Sequence, residues 1–381
     1  MSYHYTIDIK DSTNHLIPKN SDLWENLKMQ TDYLLVGQGI AGTVLGHTLL
    51  EKGSKIVVLN DEDPSSASKV AAGLYNPVTG KRMAKTWRAA ELFPFMENFY
   101  QHFEEIYSCK ILFPKPIYKP FATIEEQNTW LSSHEGEIFI NTELPKDKYN
   151  EYLHTTFGGF ETKNSGHVDV PEMLLNFRKK LATGNNSIEE KFDSAKLKLT
   201  DDGIEYGNIS AKKIIFCEGM RAMINPLFSW LPFVPSKGEI LKVRLEHFTD
   251  EVIFNKQVFI IPLGNNTFRV GSTYKWEYES SEPTEEGKAE LTEKLSQMIK
   301  KPFEIMQHNG GIRPSIRDRK PIIGFHPSTK FIGIFNGLGT KGVSLAPFFA
   351  NAFAELLLNN KQLDKDVNIE RFYSLYSRSE N

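Results

Sequence analysis

The stretch YLLVGQGIAG, at residues 33–42, constrains the fold more than any other part of the sequence. An apolar run ends in three glycines spaced as Gly-x-Gly-x-x-Gly, and residues 41–52 then have the apolar periodicity of a helix. The run KIVVLN at 55–60 predicts a second buried strand. The glycines therefore occupy the turn of a strand–turn–helix–strand unit, the context in which this spacing binds a dinucleotide.

Each glycine of this turn has a predicted task. Gly37 permits the tight turn, Gly39 lets a pyrophosphate approach the backbone, and Gly42 lets the helix pack close to the strand. The N-terminus of the helix would then present free N–H groups and a partial positive charge to the phosphates. A tight turn that binds no ligand is the alternative interpretation.

The residue that would bind the adenosine ribose departs from the usual pattern. An acidic residue about 20 positions after such a turn normally makes this contact. Here the second strand ends at Asn60, and Asp61 follows it, so both are candidates. The three acidic residues at 61–63 argue against a 2′-phosphate and therefore against NADP.

Composition excludes several classes of function. The chain has 381 residues, a formal net charge of −3 and two cysteines, which have no metal-ligand spacing. This charge does not indicate general binding of polyanions, and the cysteine usage fits a reducing cytoplasm. No apolar run approaches the ~20 residues of a membrane-spanning helix. Residues 1–30 are predicted to be an N-terminal leader, either poorly ordered or a short accessory element.

A second glycine-rich turn lies near the C-terminus. The strand KFIGIF leads into NGLGTKG and then into the apolar helix VSLAPFFANAFAELLL. Lys341, at the start of this helix, adds its charge to a helix N-terminus, which is a place to stabilise an anion. A reduced flavin carries negative charge on its pyrimidine edge, whereas NAD chemistry needs no second site of this kind. The small-residue segment 65–82 suits close passage of the backbone past a flat ring, or is an ordinary surface loop.

Eight motifs follow one another along the chain: VGQGIAG, AAGLYNP, GHVDVPEMLLNF, IIFCEG, SKGEILKV, RVGSTY, GIRPSIRDRKPIIG and GLGTKGVSLAP. In this order they resemble the D-amino-acid oxidase (DAO) superfamily of FAD-dependent oxidoreductases, from about residue 32 to the C-terminus. The resemblance extends to glycine oxidase and to the oxidase domain of the bifunctional enzyme that completes carboxymethylaminomethyl-uridine in tRNA.

The resemblance implies an α/β fold, in which a Rossmann-like FAD-binding domain is interleaved with an α+β substrate domain built on an antiparallel sheet. The FAD-binding domain would gather residues 31–85, 160–235 and 308–378, and the substrate domain would gather residues 86–159 and 236–307.

The resemblance also implies which residues contact FAD, and non-covalent binding is expected because Cys217 lies inside a strand motif. The implied contacts are Gly37, Gly39, Ile40, Ala41 and Gly42 at the pyrophosphate; Asn60 or Asp61 at the ribose; Ser68, Lys69, Ala72 and Gly73 along the flavin; Val168 at the adenine, with Gly219 beside it; and Gly339, Thr340, Lys341 and Gly342 at the pyrimidine edge.

Three residues are implied to act on the substrate. Arg313, at the start of the Arg-Pro segment, would bind a substrate carboxylate with its guanidinium fork. Tyr274 would face the flavin from the substrate sheet, and Lys341 would stabilise charge; Tyr75 and Lys81 are weaker candidates. A surface arginine and a sheet tyrosine with its hydroxyl in water are the alternative interpretations.

The expected reaction is oxidation of the C–N bond of an amino acid or N-substituted glycine by hydride transfer to the flavin, which gives an imine that hydrolyses. Two alternatives remain open: oxidation of the carboxymethylaminomethyl side chain of a tRNA wobble uridine, and flavin binding without turnover. The slightly acidic net charge favours a small molecule over tRNA. Neither the substrate, the electron acceptor nor the oligomeric state follows from the sequence.

Overall fold

The computed structural model describes residues 28–63, 66–79, 84–131, 137–141, 144–145, 147–154 and 157–379. Its strands are β1 (Met29–Val36), β2 (Ile56–Asn60), β3 (Leu74–Tyr75), β4 (Val78–Thr79), β5 (Ala84–Lys85), β6 (Leu112–Pro114), β7 (Ile117–Pro120), β8 (Ile140–Asn141), β9 (Gly159–Thr162), β10 (Gly166–Val168), β11 (Ser187–Glu189), β12 (Leu197–Leu199), β13 (Ile204–Tyr206), β14 (Ile209–Phe216), β15 (Ser236–Arg244), β16 (Ile253–Asn255), β17 (Phe259–Gly264), β18 (Thr267–Gly271), β19 (Glu304–Arg313), β20 (Ile322–His326) and β21 (Thr329–Asn336). Its α-helices are α1 (Ile40–Glu51), α2 (Ala67–Val70), α3 (Ala89–Tyr107), α4 (Ile124–Leu131), α5 (Val170–Thr183), α6 (Glu285–Met298), α7 (Gly342–Asn359) and α8 (Tyr373–Ser379).

The first sheet is parallel at its centre, in the order β11-β2-β1-β14-β21. β1 and β2 are apolar on both faces because a separate core covers each face. Leu35 and Val58 point into one core, while Leu34 and Val57 point into the other. This confirms the strand–turn–helix–strand unit that the sequence predicts around the first glycine turn, and β1 begins at Met29, inside the segment expected to be a leader.

The second sheet has the order β19-β15-β18-β17-β16-β7-β9-β8, and its pairs are antiparallel apart from β7 with β16. The strands β15, β17 and β18 lie in the predicted antiparallel arrangement. Helix α6 packs on this sheet, and Thr284 caps its N-terminus by accepting a 3.1 Å hydrogen bond from the Gly287 N–H. The mixed α/β fold expected from the sequence is thus confirmed.

The packing of α3 differs from the expected division of the chain. Residues 86–159 were expected in the substrate domain, yet α3 packs against α7 beside the first sheet. By length and hydropathy α7 is the one helix of the described ranges that could cross a membrane. Half of it is buried, and Phe349 and Phe353 lie in the same core as α1 and α3, so α7 is a core helix here.

Two other boundaries also differ from the expected ones. β9 and β19 belong to the second sheet, although residues 160–162 and 308–313 were expected in the FAD-binding domain. Residues 1–27 of the predicted leader, and the weak candidate Lys81, lie outside the described residues.

Candidate functional site

A cavity of about 740 Å³ lies between the two sheets. The carboxyl ends of β1, β2, β14 and β21 line one side of it, and one face of β15, β17 and β19 lines the other. Ligands of open α/β sheets bind outside the carboxyl ends of the strands. The volume lies within the range of about 300–1,000 Å³ that ligand pockets occupy.

The first glycine turn forms one end of the cavity, and its three glycines have different surroundings. Gly37 has a φ of +97°, and a Cβ there would lie 2.7 Å from the Cys217 carbonyl oxygen. A Cβ on Gly42 would overlap the carbonyl of Gly37. On Gly39, by contrast, a Cβ would meet only the side chain of Ser68, so this position is open towards the cavity. The Gly39 backbone therefore has no side chain between it and the space where a phosphate would lie.

Two side chains hold this turn in place. The Asn60 Oδ1 accepts a 2.8 Å hydrogen bond from the Gln38 N–H, and the Ser68 Oγ accepts a 3.0 Å bond from the Ile40 N–H. The Asn60 Nδ2 donates to the Asp61 carbonyl at 2.8 Å. Both polar atoms of the Asn60 side chain therefore have partners within the protein.

Arg313 lines the cavity, and its guanidinium donates only to neutral acceptors. Its Nη1 donates to the Lys237 carbonyl at 3.2 Å, and its Nη2 donates to the Ser272 Oγ at 2.9 Å and the Thr273 carbonyl at 3.4 Å. Within the described part of the chain, Arg313 has no carboxylate at ion-pair distance. Burial lowers the pKa of Arg313, which is the sign of a cation without a counter-ion.

Gly238 makes the space for this guanidinium. It lies on β15, which pairs with β19, and a Cβ at this position would overlap the terminal atoms of Arg313. The Tyr274 ring lies beside the guanidinium, with its centroid 5.2 Å from the Arg313 Cζ. Three residues that are distant in sequence thus meet around one guanidinium, whose planar fork has the shape that binds a carboxylate.

The second glycine turn lines the cavity through Gly339, Thr340, Lys341 and Gly342. Lys341 is the N-cap residue of α7, and no acidic partner at ion-pair distance is found for it among the described residues. Burial, with a smaller effect from Arg319, lowers the pKa of Lys341. A helix N-terminus and an uncompensated cation therefore face the same region of the cavity.

The sequence matches the model of the DAO family, FAD dependent oxidoreductase, over residues 32–356, which is most of the chain. The chain belongs to this family. The bifunctional protein ThiO/ThiG of Trichormus variabilis is 23% identical over 375 residues, which cover 92% of this chain and 55% of that protein. The tRNA 5-methylaminomethyl-2-thiouridine biosynthesis bifunctional protein MnmC of Legionella pneumophila is 21% identical over 357 residues, which cover 84% and 50%.

The chain spans about half the length of these two relatives. Among solved structures, glycine oxidase from Geobacillus kaustophilus superposes with a TM-score of 0.72 at 18% identity, covering 88% of this chain and 96% of that one. This similarity shows the same fold. The cofactor of the DAO family is FAD, and the open backbone at Gly39 together with the cation at Lys341 fits its pyrophosphate and its pyrimidine edge.

The cavity collects most of the residues that the sequence predicts for a DAO-family cofactor site. Those lining it are Gly37, Gly39, Ile40, Ala41, Asn60, Asp61, Ser68, Lys69, Ala72, Gly73, Gly219, Gly339, Thr340, Lys341 and Gly342. Gly42 and Val168 do not line it. Tyr75 does, and its buried hydroxyl has no hydrogen-bond partner within the described residues.

Val168 differs from its predicted role at the adenine. Its N–H donates to the Gly73 carbonyl at 2.9 Å, and its own carbonyl lies where a Cβ on Gly73 would be. Its backbone is therefore used to position the small-residue segment. The segment that lines the cavity beside Asn60 is residues 190–192, because β11 pairs with β2 and ends next to it.

The ribose end has charged residues that the sequence analysis missed. Arg221 forms ion pairs with Asp61 and, at 3.1 Å, with Asp63. Arg178 donates from Nε to the Gln38 Oε1 at 2.8 Å. The ribose contact of Asn60 or Asp61 stays a prediction: both line the cavity, and both side chains already have partners within the protein.

Glu218 is a further lining residue that the sequence analysis missed. It directly follows the apolar run of β14 and precedes the predicted Gly219, a position that could have drawn attention to it. Burial raises its pKa to about 7, while a 2.8 Å hydrogen bond from Asn225 and the charge of Arg221 oppose the shift.

We expect Glu218→Gln to stabilise the FAD-free protein at pH 8 but not at pH 5. The folded-state pKa of about 7 lies above the usual 4.5, so the folded protein holds a proton that the unfolded chain releases between these values. The free energy of unfolding therefore falls as the pH rises through this window, by up to about 3 kcal/mol. Thermal unfolding at both pH values measures the difference, with the exposed Glu279→Gln as control. Equal gains at both pH values would contradict the expectation.

Proposed function

We propose that this chain oxidises the C–N bond of a small amino acid or N-substituted glycine. The observation that carries the proposal is the cavity-facing guanidinium of Arg313, which has neutral partners only. Arg313 is half-buried, and a partly desolvated cation without an anionic partner is costly, so it is retained where a ligand supplies the missing anion. A carboxylate matches the fork of the guanidinium in shape and charge.

The protein's own part in the reaction is to bind and orient the substrate. Arg313 would bind the carboxylate while Ser272 and the Lys237 carbonyl fix the plane of its guanidinium. Bound FAD supplies the oxidant, a two-electron acceptor for the hydride that leaves the carbon beside the nitrogen. Lys341 and the N-terminus of α7 would hold negative charge on the pyrimidine edge of the cofactor. Positioning therefore contributes most of the rate, and the imine product hydrolyses in water.

Anaerobic mixing of the holoprotein with glycine, sarcosine and D- and L-amino acids tests the proposal. Loss of the visible flavin absorbance with one of these amines, but not with the matching amine that lacks a carboxylate, supports it. If no carboxylate-bearing amine reduces the flavin, the proposed reaction is wrong and flavin binding without turnover is favoured.

One comparison favours a second candidate, oxidation of a tRNA wobble uridine. A relative named for the biosynthesis of 5-methylaminomethyl-2-thiouridine in tRNA matches 84% of the chain. The carboxymethylaminomethyl group is itself an N-substituted glycine, so the Arg313 pocket would serve it too. The exposed Arg317 and Arg319 lie in the same segment and could contact phosphate. A tRNA gel shift that weakens steeply with salt would support this candidate, and no shift would exclude it.

The space at Gly238 gives a prediction about substrate binding. We expect Gly238→Ala to weaken binding of the carboxylate by roughly 100-fold, since displacing a positioning group by about 1 Å has effects of this size. The FAD content should stay unchanged, because the three atoms nearest to the new Cβ all belong to Arg313. Titration of the holoprotein with substrate measures this. Gly184→Ala is the matched control, because its Cβ would first meet only the Asn186 side chain; an equal loss in that variant would contradict the explanation.

A further inference from the structure

We propose that Tyr274 and Trp276 form an aromatic recognition surface at the mouth of the cavity, which binds a planar aromatic group carried on the nitrogen of the substrate. This inference rests on the proposed function and adds a substrate class to it: N-arylmethyl derivatives of glycine. The two side chains are called the aromatic pair below.

The aromatic pair is unusual in its exposure. Tyr274 is 47% exposed and Trp276 is 52% exposed. Among the large apolar side chains that the structure describes as exposed, these two are the only aromatic ones. They also touch each other, with ring centroids 5.1 Å apart and planes at 72°. Isolated exposed aliphatic residues are ordinary, whereas two adjoining exposed rings beside a cavity indicate a binding surface.

The aromatic pair lies where the nitrogen substituent would leave the cavity. Tyr274 lines the cavity, and its ring centroid lies 5.2 Å from the Arg313 Cζ. A carboxylate on Arg313 therefore places the neighbouring carbon and nitrogen next to Tyr274. Trp276 does not line the cavity itself, but it contacts Tyr274, so a substituent that continues outward from the nitrogen past Tyr274 would reach it.

The backbone under the aromatic pair is fixed. Lys275 exchanges two hydrogen bonds with Lys237 of β15, at 2.8 and 3.0 Å, and the Thr273 N–H donates to the Glu239 carbonyl at 3.2 Å. Behind the sheet, the buried carboxylate of Glu239 lies 3.1 Å from the Lys237 Nζ and accepts from Thr284 at 2.9 Å. Binding to such a pre-arranged surface loses little conformational entropy.

The charges around the aromatic pair favour a neutral ring over a charged group. The nearby Lys275 is already paired with Glu286 at 2.6 Å. Arg313 needs one anionic partner, and the carboxylate of the substrate supplies it. An aromatic ring gains edge-to-face and stacking contacts beyond its apolar area, which a saturated ring of similar size does not.

Calorimetric titration of the holoprotein with two thioether acids tests the inference without requiring turnover. The probes are (benzylthio)acetate and (cyclohexylmethylthio)acetate, which carry the carboxylate but no oxidisable C–N bond. We expect the benzyl compound to bind about threefold to tenfold more tightly. Trp276→Leu should abolish this preference, and Trp276→Phe should retain it. Neither substitution should alter the affinity for (methylthio)acetate, the control acid that carries no ring.

Equal affinities for the two probes, or an unchanged preference in Trp276→Leu, would overturn the inference, as would failure of both acids to bind. If the benzyl compound binds more tightly but N-benzylglycine is not oxidised, the recognition surface is supported and the proposed oxidation is contradicted.

Discussion

Arg313→Met should weaken binding of a carboxylate substrate by about 30-fold or more, because removing one partner of a hydrogen-bonded charge pair costs about 2–5 kcal/mol. FAD should remain bound. The thermal stability should stay equal or rise, since the variant removes a half-buried cation whose partners in the described chain are all neutral. Titration with glycine or sarcosine, together with a melting curve of the holoprotein, measures both effects.

Two other variants sharpen the Arg313 experiment. Arg313→Lys retains a positive charge but loses the planar fork, so it should lie between wild type and Arg313→Met. Arg317→Met, an exposed arginine of the same segment, is the matched control and should bind the carboxylate almost as wild type does. If Arg313→Met binds the substrate normally, the anion pocket has been assigned to the wrong residue.

Gly39→Ala should reduce the affinity for FAD by at least about 100-fold while the FAD-free protein remains folded. A methyl group at this position would enter the space predicted for the pyrophosphate and would block charge-assisted hydrogen bonds to it, each contributing about 1.5–3 kcal/mol. The backbone at Gly39, with φ of −77° and ψ of −166°, accepts any residue. The new Cβ would lie 3.0 Å from the Ser68 hydroxyl, so this side chain needs to shift by only a few tenths of an ångström, which its hydrogen bond from the Ile40 N–H tolerates. FAD titration and circular dichroism measure the two effects.

Gly42→Ala provides the contrast to Gly39→Ala. Its Cβ would overlap the backbone carbonyl of Gly37, which cannot move without distorting the turn. We therefore expect this variant to destabilise the FAD-free protein itself. If Gly39→Ala unfolds the protein as readily as Gly42→Ala does, the open position at Gly39 would be structural and not a ligand site.

The cofactor end of the site was largely predictable because its signals are local. The glycine turn, the strand before it and the helix after it lie within a single continuous segment, so spacing and apolar periodicity were enough to predict them. The same holds for the second turn at residues 337–342. Val168 does not line the cavity, since its backbone pairs with Gly73, and the edge beside Asn60 is formed by the chain after β11, a neighbour that no local pattern indicated.

The substrate end depends on pairings between distant strands. The sequence by itself determined the nucleotide-binding unit, the DAO-type order of motifs and Arg313 as a candidate for the carboxylate. Only the tertiary structure decided that Gly238 leaves room for that guanidinium, that the exposed Tyr274 lies beside it in contact with Trp276, and that the half-buried Glu218 lies next to the glycine turn. A turn is specified by residues a few positions apart, whereas the burial and neutral surroundings of a charge depend on which strands become neighbours, and no local pattern encodes that.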